Sequence, residues 1–175
     1  MSSRTLKKPR VVRVYRAIIW SSQLNVKLAR YEVEFLLFQR SLKVHFSNQW
    51  ECLGATPEPD SKDKAKFILP KGSWAEAGIK ISSIQTEVYR YRRSIQEWPG
   101  SRYNGYDSYE SIYYLVDCAT IKEINLCTQH RGFGWFSMPA ILALKPVLRE
   151  STFQAFSALR AKVDLTLYQV NSKHH

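Results

Sequence analysis

Arg30-Tyr31-Glu32-Val33-Glu34-Phe35-Leu36-Leu37-Phe38 is the stretch whose reading decides the fold. Tyr31, Val33, Phe35 and Leu37 fall on one side of an extended chain, and Glu32, Glu34, Leu36 and Phe38 on the other. A period of two is the mark of a strand. Upstream, Val12, Val14 and Arg16 alternate with Val11, Arg13 and Tyr15, and Ile18, Ile19 and Trp20 follow. Downstream, Leu42, Val44 and Phe46 alternate with Lys43 and His45, with residues 39–41 as the bend of a hairpin. Alternation returns over residues 79–98, where Ile79, Ile81 and Val88 oppose Lys80, Ser82, Glu87 and Tyr89.

Helical signals are fewer. Ser73-Trp74-Ala75-Glu76 has the form of a capping box and Gly78 that of a stop, which predicts one helical turn. Over residues 107–117, Tyr109, Ile112, Tyr113 and Val116 have helical spacing behind Asp107 and Glu110. Ile, Tyr and Val themselves favour strands; the spacing tips the expectation to helix. Residues 119–127 read as a short strand with Ile124 and Leu126 apolar, and residues 139–148 as a helix begun by Pro139 and ended by Pro146. Ser151 and Gln154 form a second capping box before the stripe Phe153, Phe156, Leu159. Val163, Leu165 and Leu167 then alternate with Asp164, Thr166 and Tyr168 as a last strand. Residues 54–66, with two prolines and many charges, and the turn-rich residues 99–107 read as loops. The sum is α+β: a single domain over residues 10–175, an antiparallel β-sheet packed against a few short helices. A flexible basic arm, residues 1–9, precedes it.

Charge narrows the function. Lys and Arg number 26 against 15 Asp and Glu, a net charge of +11. The first acidic residue is Glu32, and Arg4, Lys7, Lys8, Arg10, Arg13, Arg16, Lys27 and Arg30 precede it. Such a surplus concentrates polyanions: nucleic acid, anionic lipid or an acidic protein. A second cluster, Arg90, Arg92, Arg93 and Arg102, is interleaved with Tyr89, Tyr91 and Tyr103. On a strand, Arg90 and Arg92 share one face, and Tyr89, Tyr91 and Arg93 the other. Guanidinium groups beside aromatic rings suit phosphates and stacked bases; the plainer alternative is a solvated sheet face with tyrosines partly in the core.

Catalytic and metal signatures are thin. The sequence has no phosphate-binding Gly-rich loop, GxSxG or HExxH. Cys52, Cys118 and Cys127 form no CxxC, and the CxxH of Cys127 and His130 has no second pair to complete a zinc site. The expectation is therefore a protein that is not an enzyme and has no catalytic residues, metal or cofactor. A metal-dependent nuclease built on Asp60 with Lys62, Lys64 and Lys66 is the weaker alternative, because metal catalysis needs rigidly held carboxylates. No apolar run reaches the roughly 18 residues that span a bilayer, and no secretory signal is present. Cytosol or nucleus fits, with Lys7-Lys8-Pro9-Arg10 as a candidate import signal. In His130-Arg131-Gly132-Phe133-Gly134-Trp135-Phe136, two glycines separate three large rings. Phe133, Trp135 and Phe136 suit a loop tip entering a membrane interface or a neighbouring subunit, or a fold back into the core.

Two of these segments carry a resemblance. Residues 30–38, following a basic arm, and Ser151-Thr152-Phe153-Gln154-Ala155-Phe156 with Lys162-Val163-Asp164-Leu165-Thr166-Leu167-Tyr168 resemble the first core strand and the late helix–strand pair of rhabdovirus matrix proteins, particularly the small basic ones of plant viruses. The resemblance covers about a third of the chain. It implies a viral structural protein of the virion and host cytoplasm that self-associates into a homo-oligomer. It also implies that the chain bridges nucleocapsid protein and RNA to an anionic membrane as a peripheral protein. The arm would supply the electrostatics, and residues 133–136 the apolar anchor. The chain departs from animal-virus members in its shorter arm and in lacking PPxY and PTAP motifs. The alternative partner is RNA bound without sequence preference.

Overall fold

The computed structural model describes residues 9–25, 30–58, 64–97, 105–119 and 121–172. Among the described residues, seven strands form one mixed sheet. They are β1 (Val11–Asn25), β2 (Arg30–Arg40), β3 (Trp50–Glu51), β4 (Leu53–Ala55), β5 (Ile81–Ser94), β6 (Ser108–Cys118) and β7 (His130–Ser137). The main path runs β3-β2-β1-β6-β5, with β4 on β1 and β7 on β2. The β1–β6 pairing is parallel and the other strand pairings are antiparallel. Three helices accompany the sheet: α1 (Ala65–Ala77), α2 (Met138–Ala143) and α3 (Glu150–Ser172). The molecule is thus a single-domain α+β fold, with α1 on one face of the sheet and α3 on the other.

Alternation along the central strands feeds two cores. Toward α1, Tyr15, Ala17, Ile19, Leu36, Phe38, Ile112 and Val116 pack with Leu69 and Ala77. Toward α3, Ile18, Phe35, Leu37, Val88 and Tyr113 pack with Ile141, Ala155, Phe156 and Leu159. Residues 35–38 are buried on both sides because β2 is covered on both, whereas Val33, two residues earlier, is 45% exposed. That is why the alternation breaks into the run Phe35-Leu36-Leu37-Phe38 at the point where the strand enters the interior.

Several expectations are corrected. Residues 42–46 are not a strand: β2 ends at Arg40, and the chain turns through Phe46 and Asn48, both at positive φ (59° and 63°). The helix read as one turn at Ser73 is 13 residues long and starts at Ala65. Pro70 inside it and the polar run before it concealed its first half, although Gly78 stops it in the left-handed conformation as expected. Residues 107–117 are strand β6 rather than helix. Their β-branched and aromatic side chains pair with β1 and β5 on both edges, and cross-strand packing overrides the helical spacing. Residues 121–127 make no strand, yet Ile121, Ile124 and Leu126 pack on the α1 side of the core. The last strand, 163–169, is absent because α3 continues through it to Ser172.

The aromatic segment 130–136 is strand β7, not a loop tip. Phe136 meets Trp50 edge-on at 5.0 Å, and Trp135 packs against the α1-side core. Phe133, paired with Phe38 across the strands, stays 44% exposed. Pairing with β2 leaves Trp135 and Phe136 partly buried against the two cores rather than at a loop tip.

Candidate functional site

The parting of two strands creates the site. β1 pairs with β2 only over Ile19–Asn25, and its residues Tyr15, Arg16 and Ala17 pair with β4 instead. β2 meanwhile pairs with β3 through Phe38 and Gln39. The segment 50–55 fills the fork, and Glu51 sits in it with its side chain 2% exposed. Three guanidinium groups converge on that one carboxylate. Arg16 Nη1 donates to Oε2 at 2.9 Å, Arg149 Nη1 to Oε2 at 2.8 Å, and Arg40 Nη1 to Oε1. His130, at the start of β7, places Nε2 at 3.6 Å from Oε1. Burial pushes the Glu51 carboxyl up, but Arg16, the hydrogen bond from His130, Arg149 and Arg40 overturn that and hold it well below the usual carboxylate range. Arg16 is likewise disfavoured as a cation by burial and restored by Glu51, ending well above its ordinary value.

Close backbone approach keeps this arrangement in place. A Cβ on Gly54 would lie 2.7 Å from Arg16 Cδ, so only glycine lets the Arg16 side chain cross β4. Arg16 Nη1 also donates to the Cys52 carbonyl oxygen at 2.9 Å. Burial pushes the Cys52 thiol up to about 12, so it is an inert member of the site. Glu76, from α1, lies within electrostatic reach, and burial raises its carboxyl.

A second constellation lies on the α1 side of β1, β6 and β5. Glu110, 6% exposed, accepts from Arg13 Nε at 3.1 Å and lies 3.5 Å from Arg90 Nη1. Arg90 also pairs with Glu87, which holds that carboxyl below its ordinary range. Arg92 Nη2 donates to Ser108 Oγ at 3.3 Å. In register, Arg90 and Arg92 stand opposite Ile112 and Glu110, while Tyr89, Tyr91 and Arg93 stand opposite Tyr113, Ser111 and Tyr109. Tyr89 and Tyr91 reach α3 through Gln154 and Glu150.

The basic residues singled out by sequence therefore divide. Arg13, Arg90 and Arg92 share a face. Arg16 is buried in the fork and Arg93 points to the opposite side. Arg10 is exposed, its guanidinium 4.7 Å from the Tyr106 ring. Arg4, Lys7, Lys8 and Arg102 lie outside the described residues. Arg40 and Arg149 were not anticipated, because nothing local distinguishes an arginine at a strand end or before a helix. Only the convergence of β1, β2, β3 and the α3 entry reveals them.

No family model and no curated protein matches the chain. Solved structures do. A MutT protein from Methanosarcina mazei Go1 superposes with a TM-score of 0.62 at 21% identity, over 90% of this chain and 98% of that one. The NUDIX domain of Shewanella oneidensis NrtR, solved with ADP ribose, gives 0.61 at 10% identity over 93% and 94%. This is the NUDIX fold. A C. elegans Ap4A hydrolase in a binary complex shares the NUDIX fold too, with a TM-score of 0.59 at 15% identity over 87% and 98%.

The NUDIX fold overturns the matrix-protein resemblance, whose late helix–strand pair is here one continuous helix. The expectations that rested on it fall with it: a structural virion protein with nucleocapsid and anionic membrane as partners. The expectation of a chain that is not an enzyme, drawn from thin catalytic signatures, is corrected too, because several structures that share the fold are hydrolases. The concentration of unpaired positive charge at the front of the chain also dissolves in part, because Arg13 and Arg16 each meet a buried carboxylate.

Hydrolases that work through a divalent cation need grouped hard donors. Among the described residues no three His, Cys, Asp or Glu side chains stand close enough to hold a metal ion. Glu76 is the one carboxylate on α1, and Glu51 is already occupied by three arginines. Among the described residues the donor set does not fit a cation. Of the nuclease alternative, Asp60 and Lys62 lie outside the described residues, while Lys64 and Lys66 stand exposed at the start of α1. What the described residues show instead is guanidinium groups held in place by carboxylates, on Glu51 in the fork and on Glu110 and Glu87 on the sheet.

Proposed function

We propose that this chain acts on small nucleotides containing a diphosphate linkage, as a hydrolase-type protein of the NUDIX fold. The observation that carries the reading is the match of nearly the whole chain to solved proteins of that fold, one holding ADP ribose and others that are Ap4A hydrolases. The charged face of Arg13, Arg90 and Arg92 beside α1 supports it. Guanidinium groups over a sheet suit phosphate oxygens, and the same groups stabilise charge that develops on phosphoryl oxygens during hydrolysis. Glu110 and Glu87 orient Arg13 and Arg90 by accepting their N–H groups.

The test is a panel of ADP-ribose, dinucleoside polyphosphates and nucleoside diphosphates, assayed for binding by calorimetry and for cleavage by mass spectrometry, with and without Mg²⁺. Saturable binding together with cleavage at a phosphoanhydride is the expected result. Arg13→Gln with Arg90→Gln should weaken it at least tenfold. Neither binding nor cleavage across the panel refutes the reading.

A further inference from the structure

The CxxH of Cys127 and His130 lacks the second pair of a zinc site, yet the fold gives it a different third member. Residues 127–130 form a tight turn at the start of β7, tied down at three points. His130 N donates to the Cys127 carbonyl oxygen at 3.1 Å, and Cys127 N to that of Glu76, near the end of α1, at 2.9 Å. Ser41 N, just after β2, donates to the Gln129 carbonyl oxygen at 2.9 Å. The turn brings Cys127 Sγ to 3.8 Å from His130 Nδ1, within hydrogen-bonding reach for sulfur. Cys127 is half-buried and exposed Thr128 and Gln129 follow it, so the turn lies at the surface.

The far side of the imidazole faces inward. His130 is 6% exposed, and its ring centroid lies 5.4 Å from that of Phe38, which restrains the ring plane. Nε2 stands 3.6 Å from Glu51 Oε1, and among the described residues no other hydrogen-bond partner reaches that buried nitrogen. A lone pair on Nε2 would face the lone pairs of an ionised carboxylate, so the ring proton belongs on Nε2. Nδ1 then keeps its lone pair, turned to the Cys127 thiol. Carboxylate, imidazole and thiol in series are the parts of an assisted nucleophile, in which one group orients the base and the base takes the proton. The charged groups around the pair are Glu51, with Arg16, Arg40 and Arg149 upon it, and Glu76 from α1. Three guanidinium groups against two carboxyl groups favour negative charge that develops on the sulfur.

We propose that Cys127 is a nucleophilic thiol toward small-molecule disulfides, with His130 as its base and Glu51 as the residue that positions His130. The thiol proton passes to Nδ1 while the sulfur attacks one sulfur of the disulfide. The S–S bond breaks, and the departing sulfur takes the proton back from His130. Cys127 ends oxidised in a mixed disulfide, and the attacked disulfide is reduced to one thiol. The step needs no nucleotide, so it stands or fails independently of the nucleotide reading.

The experiment uses the full chain carrying Cys118→Ser, which leaves Cys127 and the buried Cys52. The probe is 2,2′-dithiodipyridine, a small disulfide whose released thione is read by absorbance, with the modified residue assigned by peptide mass. At pH 6.5 Cys127 should react about tenfold or more faster than the thiol of a peptide spanning residues 124–131. From pH 8 to pH 6.5 its rate should fall by no more than about threefold, whereas a simple thiol, with a pKa of about 8.5, loses roughly twentyfold of its thiolate. His130→Gln removes the base and should slow Cys127 about tenfold at pH 6.5, in protein whose folding is checked by circular dichroism. A rate equal to the peptide's, or one that His130→Gln leaves unchanged, overturns the proposal. If that variant does not fold, the wild-type pH profile and nitrogen NMR of the wild-type imidazole at pH 7.5 decide. A protonated Nε2 with a bare Nδ1 sustains the relay from Glu51 through His130, and any other form overturns it.

Discussion

Replacing Gly72 by alanine tests how α1 is seated. Gly72 lies mid-helix in α1, where helix preference alone favours alanine by about 1 kcal/mol. Packing opposes this. A Cβ at Gly72 would stand 2.4 Å from the Ala55 Cβ on β4, well inside the roughly 3.5–4.0 Å at which carbon atoms rest. Both groups are short and tied to backbone, so neither rotates away; the helix itself must lift from β4. Overpacking of this kind costs about 1–3 kcal/mol, so Gly72→Ala should lose stability despite its better propensity. At this chain length each kcal/mol lowers the melting temperature by about 2–4 °C. Urea denaturation should show a lower midpoint with an unchanged slope. Adding Ala55→Gly removes the opposing methyl, so the double variant should recover part of the loss, and the cycle should return a favourable coupling between the two positions. A Gly72→Ala protein more stable than wild type, or a cycle with no coupling, would refute the close approach of α1 to β4.

Four further outcomes follow from the same geometry. Glu51 has its folded carboxyl held well below the ordinary value of 4.5, so it stabilises the fold above that pH and the contribution disappears as pH falls through the depressed value. Denaturation midpoints should therefore decline steeply below about pH 4.5, and a flat acid limb contradicts the three-arginine cluster. Thiol labelling of the native protein at pH 8 should begin at Cys127, because burial pushes Cys118 to about 11 and Cys52 to about 12. Labelling of Cys52 as fast as that of Cys127 would mean that the fork is open. Phe136→Ala should cost about 3 kcal/mol and Phe133→Ala no more than about 1, since the first ring packs on Trp50 and the second is half exposed. Tyr113→Phe should cost about 1 kcal/mol, because its buried hydroxyl shares hydrogen bonds with Ser151 and Thr152 at the start of α3.

Local pattern made much of the sheet legible, including β1, β2 and β5, and the glycine stop at the end of α1. It also told which arginines of β5 share a face, because a strand's period of two is a property of the backbone itself. The sequence by itself thus determined the α+β class and the charged strands. Tertiary structure decided everything that depended on which elements lie side by side. Whether 107–117 would be helix or strand was settled by the two neighbours that complete its hydrogen bonds. Whether the rings of 130–136 would face solvent was settled by pairing with β2. The gathering of Arg16, Arg40 and Arg149 on Glu51 includes a contact between Glu51 and Arg149, 98 residues apart, and has no local trace. Such a site exists only where strands diverge, since divergence opens the space that a buried carboxylate and its arginines fill.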